Sequence, residues 1–180
     1  MSFLCLPDQA AREAASWVTN PRTCVIDAST AHRVDPAWVF GLPELSPSQR
    51  DGLRRGKRIS NPGCHSTAFI LLIRPLVDAG LLDADAALSA TSITGYSGGG
   101  RKLIEQYQVD PLPSRLTSPR PYGLSLAHKH VPEMTRWTGL RTRPVFMPMV
   151  ANFYKGLTVS VPLHLSVCRR CAMRPACTRR

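Results

Sequence analysis

The run Ile59-Ser60-Asn61-Pro62-Gly63-Cys64-His65-Ser66-Thr67-Ala68-Phe69 constrains this chain more than any other stretch. Asn61-Pro62-Gly63 is turn chemistry, because proline fixes φ and glycine supplies conformations closed to other residues. Beyond it Phe69, Leu72, Ile73 and Leu76 recur at helical spacing, so a helix is predicted with Cys64 in its first turn. Unpaired backbone N–H groups and the positive end of the helix dipole favour a thiolate there, which makes the sulfur nucleophilic. Burial as a structural residue is the commoner fate of a lone cysteine. The local pattern leaves the two readings level.

The stretch before this turn reads as a unit of a parallel sheet. Phe3-Leu4-Cys5-Leu6 is a short apolar strand, and Ala10, Ala11, Ala14, Ala15 and Val18 make one face of a helix that Asn20-Pro21 ends. Thr23-Cys24-Val25-Ile26-Asp27 is then a second buried strand, giving strand–helix–strand. After the Cys64 helix, which is expected to run on to Gly80, Leu88–Thr94 reads as a strand that feeds a glycine-rich loop, Gly95–Gly100. Arg101–Tyr107 begins another helix. Pro111, Pro113, Pro119 and Pro121 mark a long irregular crossing. Val145–Val150 and Leu157–Leu163 read as strands of a second sheet. No internal repeat is present.

Composition narrows the class. With 43% hydrophobic and 19% charged residues in 180, the chain is expected to be a soluble globular protein. It has no stretch as long as a membrane span and no basic region ahead of its first apolar run, so neither a membrane protein nor a signal peptide is expected. Cys5, Cys24 and Cys64 lie scattered in apolar or reactive-looking contexts rather than in a disulfide framework, which fits a reducing, cytoplasmic setting. The net charge of +11 raises the question of nucleic acid. Five arginines after residue 166 (169, 170, 174, 179 and 180) supply nearly half of that excess, and no basic run interleaves with aromatics. No nucleic-acid partner is expected; small anions account for the basic residues equally well.

Other residues also carry chemistry. His128 and His130 flank Lys129 ahead of Val131-Pro132-Glu133. An imidazole near neutrality suits proton transfer, and in an extended segment both rings would point the same way. Such a pair also suits zinc, but no third ligand of suitable spacing is evident, and no metal is expected. Gly95-Tyr96-Ser97-Gly98-Gly99-Gly100-Arg101 lacks the Gly-Lys-Ser/Thr ending of a Walker loop and by itself is a flexible turn. Arg33, after the Asp27–His32 segment, is either an anion-binding residue or a solvated surface arginine. His164, Cys168, Cys171 and Cys177 can be written as four zinc ligands, but their spacing is irregular and a metal-free, disordered or out-of-frame tail over 167–180 is the preferred reading.

Ser60-Asn61-Pro62-Gly63-Cys64, together with Val25–Arg33, Phe40–Leu45, Gly95–Arg101 and His128–Glu133, resembles N-acetyl-γ-glutamyl-phosphate reductase in its shorter bacterial form, from about residue 3 to about residue 166. One such motif is weak evidence; five in one order are specific. The resemblance implies an α/β fold, a partial Rossmann-like parallel sheet joined to an α+β catalytic domain of the semialdehyde dehydrogenase kind. The expected organisation is 1–62 as part of an NADP-binding domain, 63–166 as a catalytic and oligomerisation domain, and 167–180 as the tail. Family members open with a glycine-rich dinucleotide loop and close with further strands, and neither is found here, so a fragment truncated at both ends with little activity of its own is expected.

The activity implied is NADPH-dependent reduction of N-acetyl-γ-glutamyl phosphate, a small acyl phosphate, to the semialdehyde in arginine biosynthesis. Cys64 would form the thioester, and His128 or His130 would be the acid/base, with His128 placed slightly ahead. Ser97 and Gly98 would contact the cofactor, while Arg33 and Arg101 would meet anionic substrate groups. The intact family is expected to be homo-oligomeric. Alternatives are another acyl-phosphate reductase, such as the aspartate semialdehyde enzyme, or a non-catalytic fragment that associates with a full-length reductase.

Overall fold

The computed structural model describes residues 1–164; the expectations for the tail fall outside them. Two four-stranded sheets flank one long helix. The first sheet is wholly parallel, in the order β1 (Ser2–Leu4), β2 (Val25–Asp27), β4 (Arg58–Ser60), β3 (Val39–Phe40). Helix α1 (Asp8–Trp17) crosses between β1 and β2, and its Ala14 and Ala15, with Val18 just beyond, pack on Leu4, Val25 and Trp38. The strand–helix–strand reading therefore holds. The sheet's other half, β3, β4 and α2 (Gln49–Arg55), was not read from the sequence: strands of two or three residues are too short to show a period.

Helix α3 (Cys64–Asp78) begins at the residue after Gly63, as expected, and stops before Gly80, whose φ of 64° ends it. Its inward face differs from the one read by spacing. Leu72 is exposed, whereas Phe69 and Ile73 join the main core with Met134 and Phe146, and Ile70 joins a second cluster with Phe40, Leu42 and Leu45. A helix wedged between two clusters buries a broader arc than a single apolar stripe predicts. The turn before it is shaped by close approach: a Cβ on Gly41 would come within 2.8 Å of the Ser60 carbonyl oxygen.

The second sheet is mixed, in the order β6 (Arg120–Pro121), β7 (Val145–Ala151), β5 (Ser89–Gly95), β8 (Leu157–Ser160), with β5 and β7 parallel over seven residues. Alternation along β7 turns Phe146 and Val150 to the core and leaves Val145 and Met147 exposed on the opposite face. Helix α4 (Arg101–Tyr107) follows the glycine-rich loop, and α5 (Val131–Thr138) packs against α3. The segment 128–130 is not a strand. It is a turn whose last residue, His130, is the N-cap of α5, with Pro132 in the first turn and Gly139 at the C-terminus in the left-handed conformation. Among the described residues no helix is long and apolar enough to cross a membrane.

Candidate active site

A cleft of about 760 Å³ opens where the parallel sheet, the mixed sheet and the start of α3 meet. Its wall includes Cys64, His65, His128 and His130, the cations Arg33, Arg120 and Lys129, and Gly98 and Gly99. Cys64 is exposed and reduced, and is the first residue of α3. Turn and helix together thus present the thiol to the cleft, which decides against the buried structural reading.

What holds this corner is a carboxylate that spacing could not identify. Glu133, 1% exposed, accepts from the Arg33 guanidinium at 2.9 Å through one oxygen. Through the other it accepts from the Gly63 backbone N–H at 3.0 Å and the Ser66 hydroxyl at 2.7 Å. One side chain on α5 therefore ties the loop after β2 to the first turn of the cysteine helix. Arg33 also donates to the Ala28 carbonyl at 3.0 Å, and the Trp137 indole donates to the Arg33 carbonyl at 2.8 Å. Gly63 is required by this packing: a Cβ there would lie 2.5 Å from His130 Nε2 and 2.7 Å from the nearest Arg33 nitrogen. Behind Arg33, His32 Nδ1 sits 2.7 Å from the buried Asp27 carboxylate, and its ring stacks on Trp38 at 3.9 Å.

Three imidazoles line the cleft. His128 and His130 have ring centroids 4.7 Å apart and nearly perpendicular, brought together by a turn rather than by an extended strand. The His130 backbone N–H donates to His128 Nδ1 at 3.2 Å, so the neutral His128 ring carries its proton on Nε2. His65, which the sequence reading passed over, has both nitrogens engaged, with the Ser92 hydroxyl at 2.8 Å and the Tyr122 hydroxyl at 2.9 Å. Burial, assisted by the charge of His128, pushes His65 down to about 4. Burial, with His128 and Arg33 adding repulsion, pushes His130 down to about 2. His128, half-buried, is lowered by burial and then by Lys129. Burial, followed by the nearby Cys64 charge, raises the Tyr122 hydroxyl to about 12.

The structure brings Cys64, His128, His130, Arg33 and Gly98 to one cleft wall. Arg101 is not brought there. Its side chain is 91% exposed and pairs with Glu105 one turn along α4, a spacing that in a helix signals a solvated ion pair. Ser97 is not on the wall either; its backbone N–H donates to the Tyr154 carbonyl. Arg120, which the sequence reading passed over, lies on the wall, with its Nε buried and unpartnered among the described residues. Two signals in the sequence marked neglected positions: His65 directly follows the thiol, and Lys129 lies between the two histidines. The expected pair of His128 and His130 is not what the structure gathers around a common point: donor atoms of Cys64, His65 and His130, without His128, lie within 4.8 Å of one another.

A nicotinamide ring fits this wall in one respect. A Cβ placed on Gly98 would meet only the Thr94 hydroxyl, at 3.4 Å, so the glycine leaves room on the same cleft wall as the thiol. Gly98 is the residue that would lie against it.

Cys64 is expected to be alkylated ahead of Cys5 and Cys24 by limiting iodoacetamide, because it alone of the three combines exposure with a helix N-terminus and adjacent histidines. Peptide mapping that finds all three labelled equally in folded protein would rule out a selectively reactive thiol.

Two family models match the sequence: the semialdehyde dehydrogenase NAD-binding domain over residues 1–52 and the semialdehyde dehydrogenase dimerisation domain over residues 64–174. Among curated relatives, N-acetyl-gamma-glutamyl-phosphate reductase 2 of Pseudomonas putida is 48% identical over 165 residues, covering 92% of this chain and 52% of the relative. N-acetyl-gamma-glutamyl-phosphate reductase of Chelativorans is 47% identical, covering 92% and 53%. The chain thus spans about half the length of the curated relatives it matches, and the resemblance read from five motifs is borne out. Among solved structures, aspartate semialdehyde dehydrogenase II from Vibrio cholerae superposes with a TM-score of 0.67 at 15% identity, covering 88% of this chain and 53% of that one. Aspartate semialdehyde dehydrogenase with NADP from Candida albicans gives 0.64 at 15% identity, covering 90% and 49%. At that identity these two speak for the shared α/β fold alone.

Proposed function

The chain belongs to the semialdehyde dehydrogenase family, and on that premise we propose that it carries the catalytic centre for reducing N-acetyl-γ-glutamyl phosphate to its semialdehyde, with Cys64 as the nucleophile. The observation that carries this reading is an exposed thiol at a helix N-terminus, facing imidazoles and three cations across one cleft.

In the proposed reaction the Cys64 sulfur attacks the acyl carbon, the carbon–sulfur bond forms, and the bond to the phosphate oxygen breaks with its electron pair leaving on phosphate. Arg33, Arg120 and Lys129 line the cleft and are taken to offer donors to the phosphate and carboxylate of such a substrate. A nicotinamide cofactor, which we take to be NADPH, supplies hydride to the resulting thioester when bound. His128 holds the proton for the reduced oxygen at Nε2, because its Nδ1 is occupied by the His130 backbone N–H. His130, pushed down to about 2, is too weak a base for that task at neutral pH and is assigned to packing around Gly63 and Arg33.

Residues up to Pro62 are taken as the nucleotide-facing part and those from Gly63 as the catalytic part, in a cytoplasmic enzyme. A second copy of the chain is taken to cover the exposed Val145 and Met147 face of β7, which agrees with the description of the dimerisation family model.

The test is phosphate-dependent reduction of NADP by the purified chain with N-acetylglutamate semialdehyde, with aspartate semialdehyde as the competing substrate. Turnover with the first and none in Cys64→Ser supports the reading; preference for the second overturns the substrate assignment. His128→Asn is expected to lower kcat by roughly 10²–10⁴-fold. An equal loss confined to His130→Asn would reverse the two roles.

A further inference from the structure

We infer that Cys64, His65 and His130 form a binding site for a thiophilic divalent cation of the zinc class, a site in which the metal occupies the catalytic sulfur and holds the protein in a resting, unreactive state. The three donor atoms already lie within 4.8 Å of one another. A tetrahedral zinc ion with bonds of about 2.0–2.3 Å draws its ligand atoms to roughly 3.5 Å apart. The closure required is about an ångström. Cys64 is exposed, so its side chain can turn toward the ion, while His65 and His130 are buried.

The His130 ring also has an unmet polar atom. His130 is 5% exposed, and its Nδ1 is buried with no hydrogen-bond partner among the described residues. Such a nitrogen carries an unmet desolvation cost that a metal or a donor would relieve. His65 is oriented in the manner of a ligating histidine. When one ring nitrogen exchanges its hydroxyl partner for the ion, the hydrogen bond at the other, to Ser92 or Tyr122, keeps the ring in place. His128 lies outside the group of three. The fourth position faces the cleft and is left to water.

On binding, the Cys64 thiol loses its proton to water, the sulfur takes the metal, and two neutral imidazoles add their lone pairs. No oxidant or reductant is needed. Arg33 and Lys129 on the same wall oppose a dication and lower the affinity; the thiolate and the two nitrogens oppose them. The inference depends on cleft geometry and not on the reaction proposed above, so its test reads the resting protein.

The probe is cobalt(II), titrated into metal-free full-length chain carrying Cys168→Ser, Cys171→Ser and Cys177→Ser so that the distal cysteines do not contribute. One equivalent should give a thiolate-to-cobalt charge-transfer band with the visible bands of a tetrahedral centre, and zinc should displace it and protect Cys64 from alkylation. Cys64→Ser, nearly isosteric at an exposed position, should abolish the band, and His130→Ala should weaken binding by about tenfold or more. Absence of the band in the distal-cysteine variant, or its survival in Cys64→Ser, would overturn the site. An unchanged affinity in a folded His130→Ala protein would overturn it as well.

Discussion

Replacing Glu133 with alanine is expected to destabilise the fold by about 3–5 kcal/mol, the range for removing one partner of a buried ion pair. Side-chain exposures of 8% for Arg33 and 2% for Glu133 leave the pair largely out of water. The loss would leave the Arg33 charge uncompensated and the Gly63 N–H without its acceptor, while the Ser66 hydroxyl would keep only the Gly63 carbonyl at the foot of the cysteine helix. Urea unfolding of the full chain measures the effect. A paired replacement, Arg33→Met with Glu133→Leu, is expected to cost less than Glu133→Ala alone because no buried charge remains. A Glu133→Ala protein within about 1 kcal/mol of the parent would mean the network is surface-like and the account of this corner is wrong.

Acid is expected to unfold the protein well before its carboxylates titrate. His65 at about 4 and His130 at about 2 stay neutral in the folded state, whereas in the unfolded chain both return to the ordinary 6.5. Below 6.5 the unfolded state therefore binds protons that the native state refuses, and stability falls as pH falls. The contribution is fully present above 6.5, and each histidine removes roughly 1.4 kcal/mol per pH unit between 6.5 and 4. Thermal melts from pH 7.5 to pH 4.5, run with a chelator present, should show a steep decline that His65→Gln makes shallower. A melting temperature flat across that range would contradict the burial of neutral imidazoles.

Legibility in the sequence followed the range of the interactions. The Cys64 turn and helix were readable because proline, glycine and the helical period all act within a few residues, and α4 was readable from Arg101 to Tyr107 for the same reason. The Glu133 network was not, since its arginine lies 100 residues away and its backbone partner 70. Motif likeness even hid local signals. His128–Glu133 was read as a signature and its Pro132 and Gly139 were not read as the start and stop of α5, although both positions are typical of helix ends. Arg101 was named from the motif likeness, whereas pattern alone favoured a solvated arginine, and the structure pairs it with Glu105 in solvent. His65 was missed because its hydroxyl partners, Ser92 and Tyr122, come from distant segments that only the mixed sheet and the turn after β6 assemble.

The claim on which the account turns is that Cys64 is the atom that takes the acyl group. Folded chain is incubated with N-acetyl-γ-glutamyl phosphate without cofactor, quenched in acid to preserve thioesters, and examined by intact mass and peptide mapping. The account predicts one N-acetylglutamyl adduct per chain on the peptide containing Cys64, released phosphate in equal amount, and neither in Cys64→Ser. An adduct on Cys5 or Cys24 in its place, or phosphate release undiminished by Cys64→Ser, would contradict it.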